Sequence, residues 1–261
     1  MSTRLAKQLI YGTFYVIVWV LVIWVGFALF THPAASCFDK IQNQGELGVD
    51  CGGPCAMVCT AGAPPITLVP GTSVMAFTST PRHETFLAQV ENPNAGSAAE
   101  SFSYAFNVYD ASGTLLQSFP AQSYLFAQQV KYLLLMNQAV PDSVASDDIT
   151  IGNTDWVTTS TLGAVPQLAV QNVTTKIGSS ALGSVGTVVA TGQLANIDTA
   201  TFHNIFIVAV FKDANGNPIA ASQTLLDSIA PGQIEDFSVS YPAVSGIDPT
   251  KTDVEAYAFR Q

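Results

Sequence analysis

All four cysteines of this 261-residue chain stand between positions 37 and 59, at Cys37, Cys51, Cys55 and Cys59. Clustered thiols have two main chemistries: they pair as disulfides, or they bind zinc together as thiolates. Zinc sites space their cysteines as two close pairs, about two to four residues between partners. Here Cys37 stands alone and the other three follow one another at equal intervals. Disulfides are the expectation, with three pairings open. The same stretch carries Asp39, Asn43, Glu46 and Asp50, four oxygen-bearing side chains spaced four, three and four apart. Calcium takes about six to eight oxygens from carboxylates, amides and backbone carbonyls. These residues are therefore a candidate calcium ligand set, and Ca2+ is the one cofactor the sequence suggests. The competing reading is a solvated acidic knot whose side chains cap its own turns.

The elements around this segment say where it works. Residues 10–30 carry no charge. As a helix at ~1.5 Å per residue they span about 31 Å, the thickness of a bilayer's hydrocarbon layer. Arg4 and Lys7 precede the run, and every one of the nineteen acidic residues follows it. By the positive-inside rule, residues 1–9 stay in the cytoplasm and the bulk of the chain lies outside. A cleaved signal peptide has a shorter apolar core, about 7 to 15 residues. We read a single-pass anchor in the plasma (cytoplasmic) membrane, with the lipid bilayer as partner through residues 10–30. Disulfides suit that compartment. The net charge of −10 argues against nucleic acid.

Past the knot at 31–59 and a Pro-containing linker at 60–65, the texture is β. Phe102, Tyr104, Phe106 and Val108 alternate with Ser103, Ala105 and Asn107, the period of a strand with one buried face. The strand runs into Asp110-Ala-Ser-Gly113, a hairpin turn, while Asp147-Asp148 reads as a turn ahead of a strand from Ile149. The hairpin construction returns about 103 residues later, as a strand from Ile205 to Lys212 and then Asp213-Ala-Asn-Gly216. Asn92 and Asn196 precede the two strands at matching places. This is an internal repeat of domain size, two β-sandwiches over 66–165 and 166–261.

Phe106-Asn-Val-Tyr-Asp110 resembles the Phe-x-Leu-Tyr-Asp signature of the FxLYD domain, an Ig-like sandwich of bacterial and archaeal proteins. Val208-Ala-Val-Phe-Lys-Asp213 and Ile229-Ala-Pro-Gly232 are similar to it in the second copy. The resemblance implies Ig-like domains on a secreted or membrane-anchored protein, without catalytic residues. The knot resembles a second extracellular motif, Cys-x-Asp-Gly-x-x-Asn-Gly-x-Glu-x-Gly-Val-Asp-Cys-Gly-Gly, with Lys40 and Gln44 in place of its two glycines. The fold expected is thus all-β: two tandem Ig-like sandwiches, preceded by one transmembrane helix and a small disulfide-rich segment.

The two copies differ on one face. Opposite Ile205, Ile207 and Phe211, the second copy carries Phe206, Val208 and Val210, where the first has Ser103, Ala105 and Asn107. A strand apolar on both faces is covered on both. These three residues are expected to pack on the other domain, on a partner, or beneath a loop of their own domain. The function expected is non-enzymatic, a cell-surface or envelope protein that presents Ig-like domains to an unidentified envelope or surface protein. The alternative is a calcium-dependent module binding an extracellular ligand such as cell-wall glycan.

Overall fold

The computed structural model describes residues 3–31, 36–46, 48–55, 64–178 and 186–260. The chain divides into two compact units, residues 1–56 and 57–261. Cys59 and residues 60–63 of the linker lie outside the described residues.

The first unit holds helix α1 (Thr3–Thr31) and the knot. Its stretch Ile10–Phe27 is long and apolar enough to cross a membrane, and none of it is buried inside the protein. Ile10, Phe14, Trp19, Ile23, Trp24 and Phe27 point in all directions around the axis and are all exposed. A helix apolar on every side needs either a protein core or lipid around it, and among the described residues nothing covers this stretch.

Among the described residues, the second unit holds thirteen strands. The first seven are β1 (Thr67–Leu68), β2 (Met75–Thr80), β3 (His83–Glu91), β4 (Ser97–Tyr109), β5 (Leu115–Leu125), β6 (Val130–Ala139) and β7 (Ser146–Thr158). A short helix α2 (Thr159–Leu162) follows. Then come β8 (Leu168–Gly178), β9 (Thr187–Asn196), β10 (Phe202–Lys212), β11 (Pro218–Ile229), β12 (Ile234–Pro242) and β13 (Asp253–Tyr257). Every pairing is antiparallel.

The strands form two sandwiches of matching topology. In the first, β3 lies between β6 and the β1/β2 pair, and β4 lies between β5 and β7. In the second, β9 lies between β8 and β12, and β10 lies between β11 and β13. Strands β1 and β2 share one edge of β3, separated by a turn at Pro70 and Gly71. β8 runs as one strand in the corresponding place, with a bulge between Gln171 and Thr174. Asp147 and Asp148 fall inside β7, not in a turn before it. They pair with Val108 and Asn107 of β4, and Asp148 accepts hydrogen bonds from Asn107 and Tyr109, which draws both into the ladder.

Each sandwich has its own core. Phe86, Phe102, Phe106, Phe119, Leu125 and Leu133 fill the first. Leu194, Phe202, Ile205, Ile207, Phe211 and Ile229 fill the second. Fully burying a side chain of this size stabilises by about 1.5–3 kcal/mol, so each core is sufficient to define its sandwich.

Two polar devices repeat with the fold. Asn92, fully buried, donates through Nδ2 to the carbonyls of Ser97 (2.8 Å) and Phe126 (3.0 Å), and its Oδ1 accepts from Asn94 N. Asn196 donates to Ala200 (2.8 Å) and Ile229 (3.1 Å), and accepts from Asp198 N. Each asparagine thus ties together two carbonyls from separate parts of its sandwich. The hairpin turns match as closely. Asp110 Oδ1 accepts from Ser112 N and Thr114 N, and Asp213 Oδ1 accepts from Asn215 N and Asn217 N. Gly113 and Gly216 take φ of +80° and +90°, conformations that cost a side-chain-bearing residue strain. The Ser112 hydroxyl and the Thr114 amide hold the Asp110 carboxyl below its usual range, and Asn217 does the same for Asp213.

Candidate functional site

The knot is stapled by a disulfide between Cys37 and Cys55. Cys51 is disulfide-bonded as well. Zinc coordination by the thiolates is thereby overturned for these three cysteines, because a disulfide sulfur has no thiolate to offer.

Of the four oxygen-bearing residues, Glu46 is buried and Asp39, Asn43 and Asp50 are partly exposed. Asp39 accepts from Ser36 N (3.1 Å), Ile41 N (2.9 Å) and Asn43 Nδ2 (2.9 Å). Those donors, Asn43 first, hold its carboxyl below the usual range. Asp50 reaches back ten residues to accept from Lys40 N with both oxygens, at 3.0 and 2.9 Å. Glu46 is buried, and its Oε2 accepts from Asn43 N and Asp50 N, both at 3.2 Å. Its Oε1 lies 2.9 Å from Cys55 Sγ, which as a disulfide sulfur carries no proton to donate.

Calcium needs these oxygens to converge on one point at about 2.3–2.6 Å. Among the described residues, the one group of three His, Cys, Asp or Glu ligand atoms lying within 4.8 Å of one another is Cys37, Glu46 and Cys55. Two of those are sulfurs of one disulfide. The carboxylates of Asp39, Glu46 and Asp50 do not gather, and each is engaged by backbone N–H groups. In this geometry each carboxylate accepts hydrogen bonds that close the loop.

Two turns of the knot take a left-handed backbone at residues that carry side chains. Lys40 and Gln44 sit at φ +61° and +52°. A left-handed conformation costs a side-chain-bearing residue roughly 1–2 kcal/mol. Gly53, at φ +59°, is under a harder constraint: a Cβ there would stand 2.3 Å from the carbonyl oxygen of Gly45.

The second candidate surface is the outer face of β10. Val208 and Val210 are buried in a cluster with Phe77, Leu87, Leu134, Ala221 and Tyr257. Phe77 is on β2, Leu87 on β3 and Leu134 on β6, so the sheet β2–β3–β6 of the first sandwich packs on the sheet β11–β10–β13 of the second. Tyr257 Oη accepts from Tyr132 N at 3.0 Å across the same junction. Phe206 lies at its margin, 41% exposed. A clasp holds the connection between the sandwiches. Arg260 pairs with Asp198 and donates through Nε to the carbonyl of Ala164. The guanidinium pulls the Asp198 carboxyl down to about 2.

The strand patterns from Phe102 to Val108 and from Ile205 to Phe211 do not point to Lys131. It is 7% exposed, on β6 beside this junction. The signal was available, because stepping back by twos from the inward-facing Leu135 and Leu133 lands on it.

No protein-family model matches the sequence, and no curated protein matches it. Two solved structures stand among those compared. A red sea bream transglutaminase is 10% identical over 73% of this chain and 32% of its own, with a TM-score of 0.22. The tandem CBM22-1–CBM22-2 domains of Paenibacillus barcinonensis Xyn10C are 11% identical over 88% of this chain and 92% of their own, with a TM-score of 0.13. This chain spans about a third of the transglutaminase. Scores this low carry no argument about function.

Proposed function

We propose that this protein is a non-enzymatic, single-pass membrane protein that carries a rigid block of two FxLYD-type Ig-like sandwiches outside the cytoplasmic membrane. Its role is to present that block to another envelope or surface protein, for binding or assembly. The observation that carries this reading is the pairing of α1, apolar on all sides and uncovered, with a disulfide-stapled segment that follows it at once in sequence. Disulfides persist in oxidising compartments, and the two basic residues lie on the other side of the helix. The polar chemistry of both units supports a structural role, since the acids of the knot cap backbone and the repeated asparagines lock loops. Cysteine substitutions at Ser2 and at Ser238, labelled in intact cells with a membrane-impermeant maleimide, test the topology. The reading expects labelling at position 238 alone; labelling at position 2 in intact cells refutes it.

A second reading, calcium-dependent ligand binding, draws on one observation: Asn43 Oδ1 is buried without a hydrogen-bond partner. A bound cation would supply that partner. On this reading, millimolar calcium raises the unfolding temperature of the oxidised protein and Asn43→Ala removes the rise. No shift in the unmodified protein discards it.

A further inference from the structure

Between the sandwiches a cleft of about 380 Å³ opens beside β5 and β6, lined by Tyr104, Gln122, Tyr124, Lys131, Phe206 and Tyr257, among others. Its walls are mostly aromatic and aliphatic, and its one charged lining residue is Lys131. The ammonium donates to the carbonyl of Tyr124 at 3.2 Å. It lies 3.4 Å from the centre of the Tyr124 ring and 5.4 Å from that of Tyr257. The three ion pairs among the described residues, Arg82–Asp142, Lys212–Asp253 and Arg260–Asp198, do not include it. A buried cation ordinarily has an anionic partner, because leaving water is costly and ring faces offset only part of that cost. Burial pushes the Lys131 ammonium down to about 7. Burial aside, the acidic Asp253 and Glu255 of the neighbouring β13 raise the Tyr132 hydroxyl, and Glu255 raises that of Tyr257.

We propose that this cleft is a binding site for a small carboxylate with an apolar or aromatic body, whose anion pairs with Lys131. An ammonium has three protons. One is used by Tyr124, so two are left for a carboxylate. The Tyr257 hydroxyl accepts from Tyr132 N and keeps its own proton to donate. The apolar body of the ligand would lie against Tyr104 and Phe206. The volume suits a compact ligand, as it lies in the range of small-molecule pockets. This site is independent of the anchoring role proposed above.

The test uses the full chain in lipid nanodiscs, with 4-fluorobenzoate as probe, fluorine NMR as readout and empty nanodiscs as blank. Binding is expected at about pH 6 and should weaken by about a hundredfold by pH 9, as Lys131 loses its proton while the acid stays ionised. The neutral 4-fluorobenzamide should not compete. Lys131→Met should abolish binding. Should that variant not fold, Lys131→Arg carries the test: a guanidinium stays charged, so binding should persist with a flat pH profile. Equal binding of the amide, unaltered binding by Lys131→Met, or an unchanged pH profile in Lys131→Arg overturns the proposal, as does absence of binding at pH 6 up to millimolar probe.

Discussion

Strands β4 and β10 hold the same central place in the two sandwiches, yet their outer faces are closed in opposite ways. On β4 the outward Asn107 donates to Asp148 (2.9 Å) and Thr150 (2.8 Å), and accepts from Ser118 (2.7 Å). That is a polar ladder across β5, β4 and β7, with Asn107 buried beneath exposed Ser118, Asp148 and Thr150. On β10 the outward Val208 and Val210 are buried against the first sandwich. The inner faces are alike because each must fill a sandwich core. The outer faces differ because one sheet is an outside wall and the other is a shared wall. Four sheets therefore stack in series in the second unit, with β5–β4–β7 at one end and β8–β9–β12 at the other.

This contrast is open to attack by substitution. The largest effect is expected from Val210→Asp, which places an unpaired charge in the shared wall and should cost about 3 kcal/mol or more. Calorimetry should then resolve two unfolding transitions, one per sandwich, where the unmodified chain shows one. A single transition at an unchanged temperature would remove the case for a shared wall. Tyr257→Phe takes away only the hydroxyl that receives the Tyr132 amide, so about 1 kcal/mol should be lost. Denaturant titration reads that loss, and no change would mean the bond across the junction is immaterial. Asp198→Asn tests the clasp through pH. Because the Asp198 carboxyl is held down to about 2, its contribution is present above the unfolded value near 4 and fades as pH falls towards 2. The variant and the unmodified protein should therefore differ in stability at neutral pH and converge under acid. The smallest effect is expected from Asn107→Val on β4. Its partners Thr150 and Ser118 are exposed and water replaces the lost bonds, so stability should stay within about 1 kcal/mol. A loss matching that of Val210→Asp would make the two faces equivalent and end the comparison.

Much of this was legible in the residues alone. Alternation from Phe102 to Val108 marked the inner face of β4, and the doubled apolar pattern from Ile205 to Phe211 marked β10 as covered twice. What covers it was not legible, because Phe77, Leu87 and Leu134 lie more than seventy residues away in the chain and on three strands. The positions of Asn92 and Asn196 stood out in the repeat, but their bonds to Phe126 and Ile229 depend on loops that only the folded sandwich brings together. In the knot, the cysteines and acids were visible and their use was not. Spacing cannot say whether a carboxylate turns to a metal or to a backbone amide, and here Asp39, Glu46 and Asp50 turn to amides. Lys131 stands on the inward phase of β6, but its type argues the other way, since a lysine on a strand usually points to water.

The central claim is that the two sandwiches form one rigid block. It is tested most directly by the distance between spin labels on the outermost sheets, at Gln117 on β5 and Ser238 on β12, in the full chain. Sheets packed about 10 Å apart place these outer layers roughly 30 Å from each other, before label linkers. A single narrow distance distribution is expected, broadened on introducing Val210→Asp. A broad distribution in the otherwise unmodified chain would contradict the account.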